Sequence, residues 1–135
     1  MNTASTTIVE VVAAKICRGN AFLLCQRAEN QSRALMWEFV GGKVEPGETK
    51  EQALIRECRE ELGVSLIVHE PLIDISHVYP DITIHLTLFR AETADEPRKL
   101  EHNAIRWVTE EQLPEYTLCP ADAEMVALLQ KTTQA

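Results

Sequence analysis

No apolar stretch of this sequence is long enough to span a bilayer. Its first residues, MNTASTT, also lack the basic start and apolar run of a secretory signal, so a cytoplasmic location is expected. There is no basic excess: 13 Lys and Arg against 21 Asp and Glu leave a formal net charge of −8. Long nucleic acids and anionic membranes call for basic patches and are therefore not expected as partners. A small polyanion stays within reach, because a divalent cation can mediate between carboxylate and phosphate. Cys17, Cys25, Cys58 and Cys119 form neither a CxxC pair nor a Cys/His zinc spacing, and read as reduced core residues. No repeat, low-complexity tract or linker divides the 135 residues. One compact domain over residues 1–135, with a flexible start over residues 1–7, is the expected organisation.

What is present alternates in a recognisable way. A β-branched run from Ile8 to Cys17 reads as a strand, residues 18–20 as a turn and residues 21–27 as its hairpin partner. A polar loop leads to the short extended piece WEF. After Gly63, the segments VSLIVHE and LIDISHVY read as two strands, and ITIHLTLFRAE follows a turn at Pro80 and Asp81. Residues 93–103 form a loop before the strand AIRWV. Thr109 and Gln112 open a short helix that stops near Pro114, and ADAEMVALLQK is a closing helix with Met125, Val126, Leu128 and Leu129 on its buried side. Such an order predicts an α+β fold, a mixed β-sheet packed against helices.

The most informative stretch is GGKVEPGETKEQALIRECREELGV, residues 41–64. Thr49 and Gln52 make a capping box, and Gly63 stands where a left-handed C-terminal residue is wanted, which predicts a helix from Lys50 to Leu62. Leu54, Ile55, Cys58 and Leu62 fall on one arc; Glu57, Glu60 and Glu61 fall on the next, at the rim where the helix meets the sheet. A glutamate cluster on a helix of an acidic protein is usually just a solvated face, and its repulsion costs only some tenths of a kcal/mol per pair. Magnesium, however, takes near-octahedral oxygen ligands, and a fan of carboxylates on a fixed helix supplies part of such a shell. Gly41 and Gly42 permit close approach of backbone, and the Pro46/Gly47 turn folds the loop back to the helix start.

Gly42, Glu48, Arg56, Glu57, Glu60, Glu61 and Gly63, with Cys58 and Val64 at the apolar positions, resemble the full signature of the Nudix hydrolases, G-x5-E-x7-REUxEExGU. With each fixed identity at a usage of about one in fifteen, chance agreement at a given start is on the order of 10⁻⁸. The signature covers residues 42–64 without a gap, and weaker similarity to the MutT-like branch extends over nearly the whole chain. The resemblance implies the Nudix fold, a mixed sheet sandwiched between helices (α/β/α). It also implies Mg²⁺, with Mn²⁺ as substitute, held by the Gly42 carbonyl, Glu57, Glu60 and Glu61. Glu48 and Arg56 would orient those carboxylates. In "KLEHNAIRWV", Glu101 takes the place of a further metal-approaching carboxylate and candidate general base. Arg27 and Lys43 match positions that contact substrate phosphates. Which of Glu57, Glu60 and Glu101 accepts the proton stays open. The implied reaction is hydrolysis of a small-molecule nucleoside triphosphate to monophosphate and pyrophosphate, by a monomer or homodimer.

Substrate choice turns on departures from the family pattern. "WEFVGG" has Val40 where MutT-like enzymes acting on 8-oxo-dGTP carry proline, and "LCPADAEMV" has Asp122 where they carry asparagine. An ionised aspartate only accepts hydrogen bonds and so favours a base edge with an amino group, such as N4 of cytosine. A protonated Asp122 would instead mimic the amide and suit 8-oxoguanine. "WEF.GGKVEP", "IHL", "EH.A..W" and "L.PAD" are most similar to CTP pyrophosphohydrolase-like members, which also take methylated pyrimidine and oxidised purine nucleotides. Phe39 and Tyr79 are candidates for stacking on the base. His69, His77, His85 and His102 lack a ligand spacing and receive no catalytic task. The alternatives are a Nudix hydrolase of another nucleoside diphosphate derivative, or a nucleotide-binding regulator without catalysis.

Overall fold

The computed structural model describes residues 7–133, so the expected flexible start falls, apart from Thr7, outside the described residues. The elements run β1 (Ile8–Arg18), β2 (Ala21–Gln26), β3 (Trp37–Glu38), β4 (Val40–Lys43), α1 (Lys50–Leu62), β5 (Ile67–Val78), β6 (Thr83–Glu92), β7 (Ala104–Thr109), a 3-10 turn (Glu110–Glu115) and α2 (Pro120–Thr133). β1 organises the sheet. Its first half pairs antiparallel with β4 and parallel with β6, and its end turns through Gly19 into β2, which carries β3 and β7 on its two sides. β5 pairs antiparallel with β6. Parallel β1 and β6 need a long crossover, and α1 with β5 provides it.

Alternation along β1 feeds two cores. Val12, Ala14 and Ile16 point to the face covered by α1, where Leu54, Cys58 and Leu62 are fully buried. Ala13 points the other way, into a second core with Leu88, Ala121 and Met125 under α2. Each fully buried leucine contributes about 1.5–3 kcal/mol relative to exposure. The result is the expected α/β/α sandwich.

The predicted bounds of α1 match the structure because its signals are local. Thr49 Oγ1 accepts from the Gln52 amide at 3.0 Å, and the Gln52 side chain accepts from the Thr49 amide at 2.9 Å. At the other end Gly63 has φ 69° and donates to the Arg59 carbonyl at 3.0 Å. The guanidinium of Arg98 fills the space where a side chain at Gly63 would begin.

Elsewhere the sequence reading needs correction. The two strands expected after Gly63 are one, β5, kept continuous by register shifts between Val68 and Ile73 that let Pro71, without an N–H, sit at a bulge. Of WEF, Trp37 and Glu38 form β3, and Phe39 is the single residue between β3 and β4. The closing helix is rotated from its expected phase: Ala121, Asp122 and Met125 face inward with Val126 and Leu129 beside them, whereas Leu128 is 38% exposed.

Replacing Gly63 by alanine forces a left-handed alanine against Arg98. The fold should lose about 1–2 kcal/mol in a denaturant titration. His85 bridges Asp74 (3.2 Å) and Glu10 (2.7 Å), which raise its pKa above the ordinary 6.5. Its contribution is therefore full below pH 6.5 and fades as pH rises through the raised value. The stability difference between the native chain and His85→Gln should shrink over that window.

Candidate active site

Glycine at position 42 is required by contact rather than by backbone angle. A Cβ there would overlap the Glu57 carboxylate and push it aside, and one at Gly41 would overlap the Val12 carbonyl, so the backbone of β4 lies directly against Glu57 on one side and against β1 on the other. The loop between them turns at Gly47, whose φ is 85°.

Arg56 ties the carboxylates together. Its Nε and Nη2 donate to the two Glu48 oxygens at 2.6 and 3.0 Å, its Nη1 reaches Glu57 at 3.2 Å and Glu60 at 3.4 Å, and Nη2 also donates to the Lys43 carbonyl at 3.1 Å. That fork, joined by the Glu45 amide, holds the Glu48 carboxyl down at about 2. Glu48 is thus a fixed anion that aims Arg56, and Arg56 aims Glu57 and Glu60.

Enclosure differs along the trio. The side chains of Glu57 and Glu61 are 15% and 14% exposed, that of Glu60 54%. Burial, then Glu57 within hydrogen-bonding reach, then Glu38 and Glu101, push the Glu61 carboxyl well above the usual range. Carboxyls crowded this way share a proton or a cation. The donors are hard oxygens, the set that Mg²⁺ prefers, so the residues fit a divalent ion. Glu38, Cys119 and Asp122 also offer ligand atoms within 4.8 Å of one another. There burial, Asp122 and Glu38 push the Cys119 thiol up to about 12, which leaves it protonated and unsuited to a hard ion.

The loop before β7 docks on the end of α1. Arg98 and Leu100 donate their amides to the carbonyls of Leu62 and Glu61 at 2.9 and 3.3 Å, occupying groups that a helix end leaves without partners. This docking brings Glu101 into electrostatic range of Glu61 and inserts His102, whose side chain is only 6% exposed, with Nε2 3.3 Å from Glu61 and 3.8 Å from Glu38.

A cavity of about 350 Å³ meets this acidic edge at Gly42, which packs on Glu57; Gly41 and Lys43 line it beside Gly42, and Phe39, Tyr79 and Asp122 line it as well. Arg27 lines it too. Two of its donors are committed, Nε to the Ser32 carbonyl at 2.7 Å and Nη1 to Glu38 at 3.0 Å. Asp122 accepts from the Phe39 amide at 3.0 Å, and burial, followed by the charge of Glu38, pushes its carboxyl up. The Phe39 ring packs on Phe22 at 5.9 Å between centroids, and one face of Tyr79 carries the Arg33 guanidinium at 3.8 Å. A base stacking on that face of Tyr79 would have to take the guanidinium's place.

The residues singled out from the sequence thus gather in two adjoining groups. Arg56, Glu57, Glu60 and Glu61 share the edge of α1, with Glu48 joined to Arg56 from the preceding loop and Glu101 near Glu61, while Arg27, Phe39, Lys43, Tyr79 and Asp122 line the cavity that meets it at Gly42. Sequence reasoning missed Glu38, Arg33 and His102. A signal for Glu38 was present, a charge between Trp37 and Phe39 just before the glycine pair. His102 stood in the "EH.A..W" segment, but its contacts could not be read there because its partners come from α1 and β3.

A family model described as the NUDIX domain matches residues 11–128. The CTP pyrophosphohydrolase of Escherichia coli K12 is 39% identical over 120 residues, 88% of this chain and 89% of that protein. An 8-oxo-dGTP diphosphatase of Haemophilus influenzae is 36% identical over 125 residues, covering 90% of this chain and 92% of its own. The solution structure of the E. coli ORF135 protein superposes with a TM-score of 0.81 at 37% identity, covering 99% of this chain and 94% of that one. With the signature helix, the sandwich and a match over most of its length in agreement, the chain belongs to the Nudix family of hydrolases.

Proposed function

We propose that this Nudix hydrolase is a Mg²⁺-dependent pyrophosphohydrolase of nucleoside triphosphates that favours CTP, dCTP and their modified forms, releasing monophosphate and pyrophosphate. The observation that carries this reading is the join at Gly42 between the carboxylate edge of α1 and a cavity that ends in a buried aspartate. A triphosphate lying along Gly42 and Lys43 would place its base at Asp122.

Gly42 through its carbonyl, with Glu57, Glu60, Glu61 and Glu101, would hold the ion. When bound, a divalent ion acidifies water and neutralises charge on phosphate oxygens. The chain's residues do the rest. Arg56, locked by Glu48, keeps Glu57 and Glu60 at fixed distances, and one carboxylate takes the proton of the attacking water as the bond from the inner phosphorus to pyrophosphate breaks. Lys43 and the remaining N–H donors of Arg27 face the phosphates.

At the base end, an ionised Asp122 accepts from the amino group of cytosine. Its raised pKa favours a second mode: a protonated Asp122 both donates and accepts, as an amide does, and suits 8-oxo-dGTP. The relatives named for CTP and for 8-oxo-dGTP support these two modes.

Glu60→Gln should lower kcat roughly 10²- to 10⁴-fold with thermal stability unchanged. Pyrophosphate release against a panel of nucleotides checks both rate and ranking, and CTP no better than dGTP would remove the cytosine preference. Asp122→Asn should move the ratio of kcat/KM for CTP over 8-oxo-dGTP roughly tenfold toward the purine. In the native chain that ratio should fall as pH is lowered through the raised pKa of Asp122; in Asp122→Asn it should be flat.

A further inference from the structure

The loop between β2 and β3 holds two residues other than glycine in left-handed conformation, Arg33 at φ 55° and Leu35 at φ 62°. Such backbone costs of order 1 kcal/mol each and persists only where surrounding contacts impose it. The Arg33 carbonyl accepts the Met36 amide at 3.2 Å, which closes the turn, and the side chain reaches into the lining of the cavity. The guanidinium carbon is 3.8 Å above the centre of the Tyr79 ring, Nη1 donates to Asp81 at 3.0 Å, and the side chain is 20% exposed. Tyr79 is fixed in turn, since its hydroxyl accepts the amide of Ala121 at 2.8 Å, one residue before Asp122. Arg27 pins the loop from below through the Ser32 carbonyl, and its own amide and carbonyl bond to Met36 and Leu35 at 2.9 and 3.1 Å.

The base end of the cavity therefore presents two chemically opposite groups, the Asp122 carboxyl and the planar donor fork of Arg33. A cytosine edge has the complementary polarity, an amino donor at C4 and acceptors at N3 and O2. We propose that Arg33 is a specificity-determining residue that donates to the ring acceptors of a pyrimidine base while Asp122 takes its amino group, with Asp81 and Tyr79 as positioning residues for the guanidinium. This inference rests on the assignment of the base to the Asp122 end. Guanine offers N–H donors at N1 and N2 beside its O6 acceptor, and would set its N1–H against the fork.

Arg33→Gly is the informative variant, because glycine adopts φ 55° without strain and the loop keeps its course. Arg33→Lys retains the charge without the fork, and Asp81→Asn weakens only the hold on it. kcat/KM would be measured for CTP, 3-deaza-CTP, which lacks the N3 acceptor, and dGTP. Arg33→Gly and Arg33→Lys should both lose tenfold or more with CTP, chiefly in KM, and less than threefold with dGTP. The native preference for CTP over 3-deaza-CTP should disappear in both, and Asp81→Asn should fall between. An equal loss with all three nucleotides would mark Arg33 as a phosphate or loop contact and overturn the proposal, as would full activity in Arg33→Lys. An Asp122→Asn variant with an unaltered CTP to dGTP ratio would instead sink the placement of the base on which the proposal rests.

Discussion

Repulsion among carboxylates is the constraint around which this molecule is arranged. Glu57 and Glu61 stand one turn apart on a helix edge, mostly enclosed, with Glu38 and Glu101 close enough to lift the Glu61 pKa further. Arg56 reaches this cluster from the side at Glu57, with two of its five hydrogen bonds going to Glu48, and Arg27 reaches it at Glu38. The net result is a crowded negative edge on a rigid helix, whose hard oxygen donors fit a divalent ion. The glycine pair follows from the same need, since any side chain at 42 would displace Glu57 from the edge.

How much of this was legible in the sequence depended on the range of the interaction. α1 was readable to its ends because the capping box, the left-handed glycine and the apolar arc all act within a few residues. The mixed sheet packed against helices followed from the order of strand and helix segments along the chain. β5 was less clear, as Pro71 normally ends a strand and only pairing with β6 shows that a bulge absorbs it. The phase of α2 was misjudged by treating Leu128 as core; the inward position belongs to Asp122, a charge that pattern reading assigns to solvent and that the Phe39 amide keeps inside.

The site was legible where the family signature is contiguous and obscure where it is assembled. Residues from β3, α1 and the loop before β7 meet at Glu38, Glu61 and His102, and no spacing in the chain announces that meeting. Glu38 also raises the Asp122 pKa. It stands between the carboxylate edge of α1 and Asp122, and its charge acts on both Glu61 and Asp122.

The amides of Arg98 and Leu100 that close the end of α1 carry an evolutionary implication. Between Leu100 and Ala104, the first residue of β7, the chain is anchored on both sides, to the helix and to the sheet, with Glu101 and His102 suspended between. A single residue gained or lost among the three between them would swing both side chains off the acidic edge. The length of that span, as well as the identity of its residues, sets which side chains meet α1.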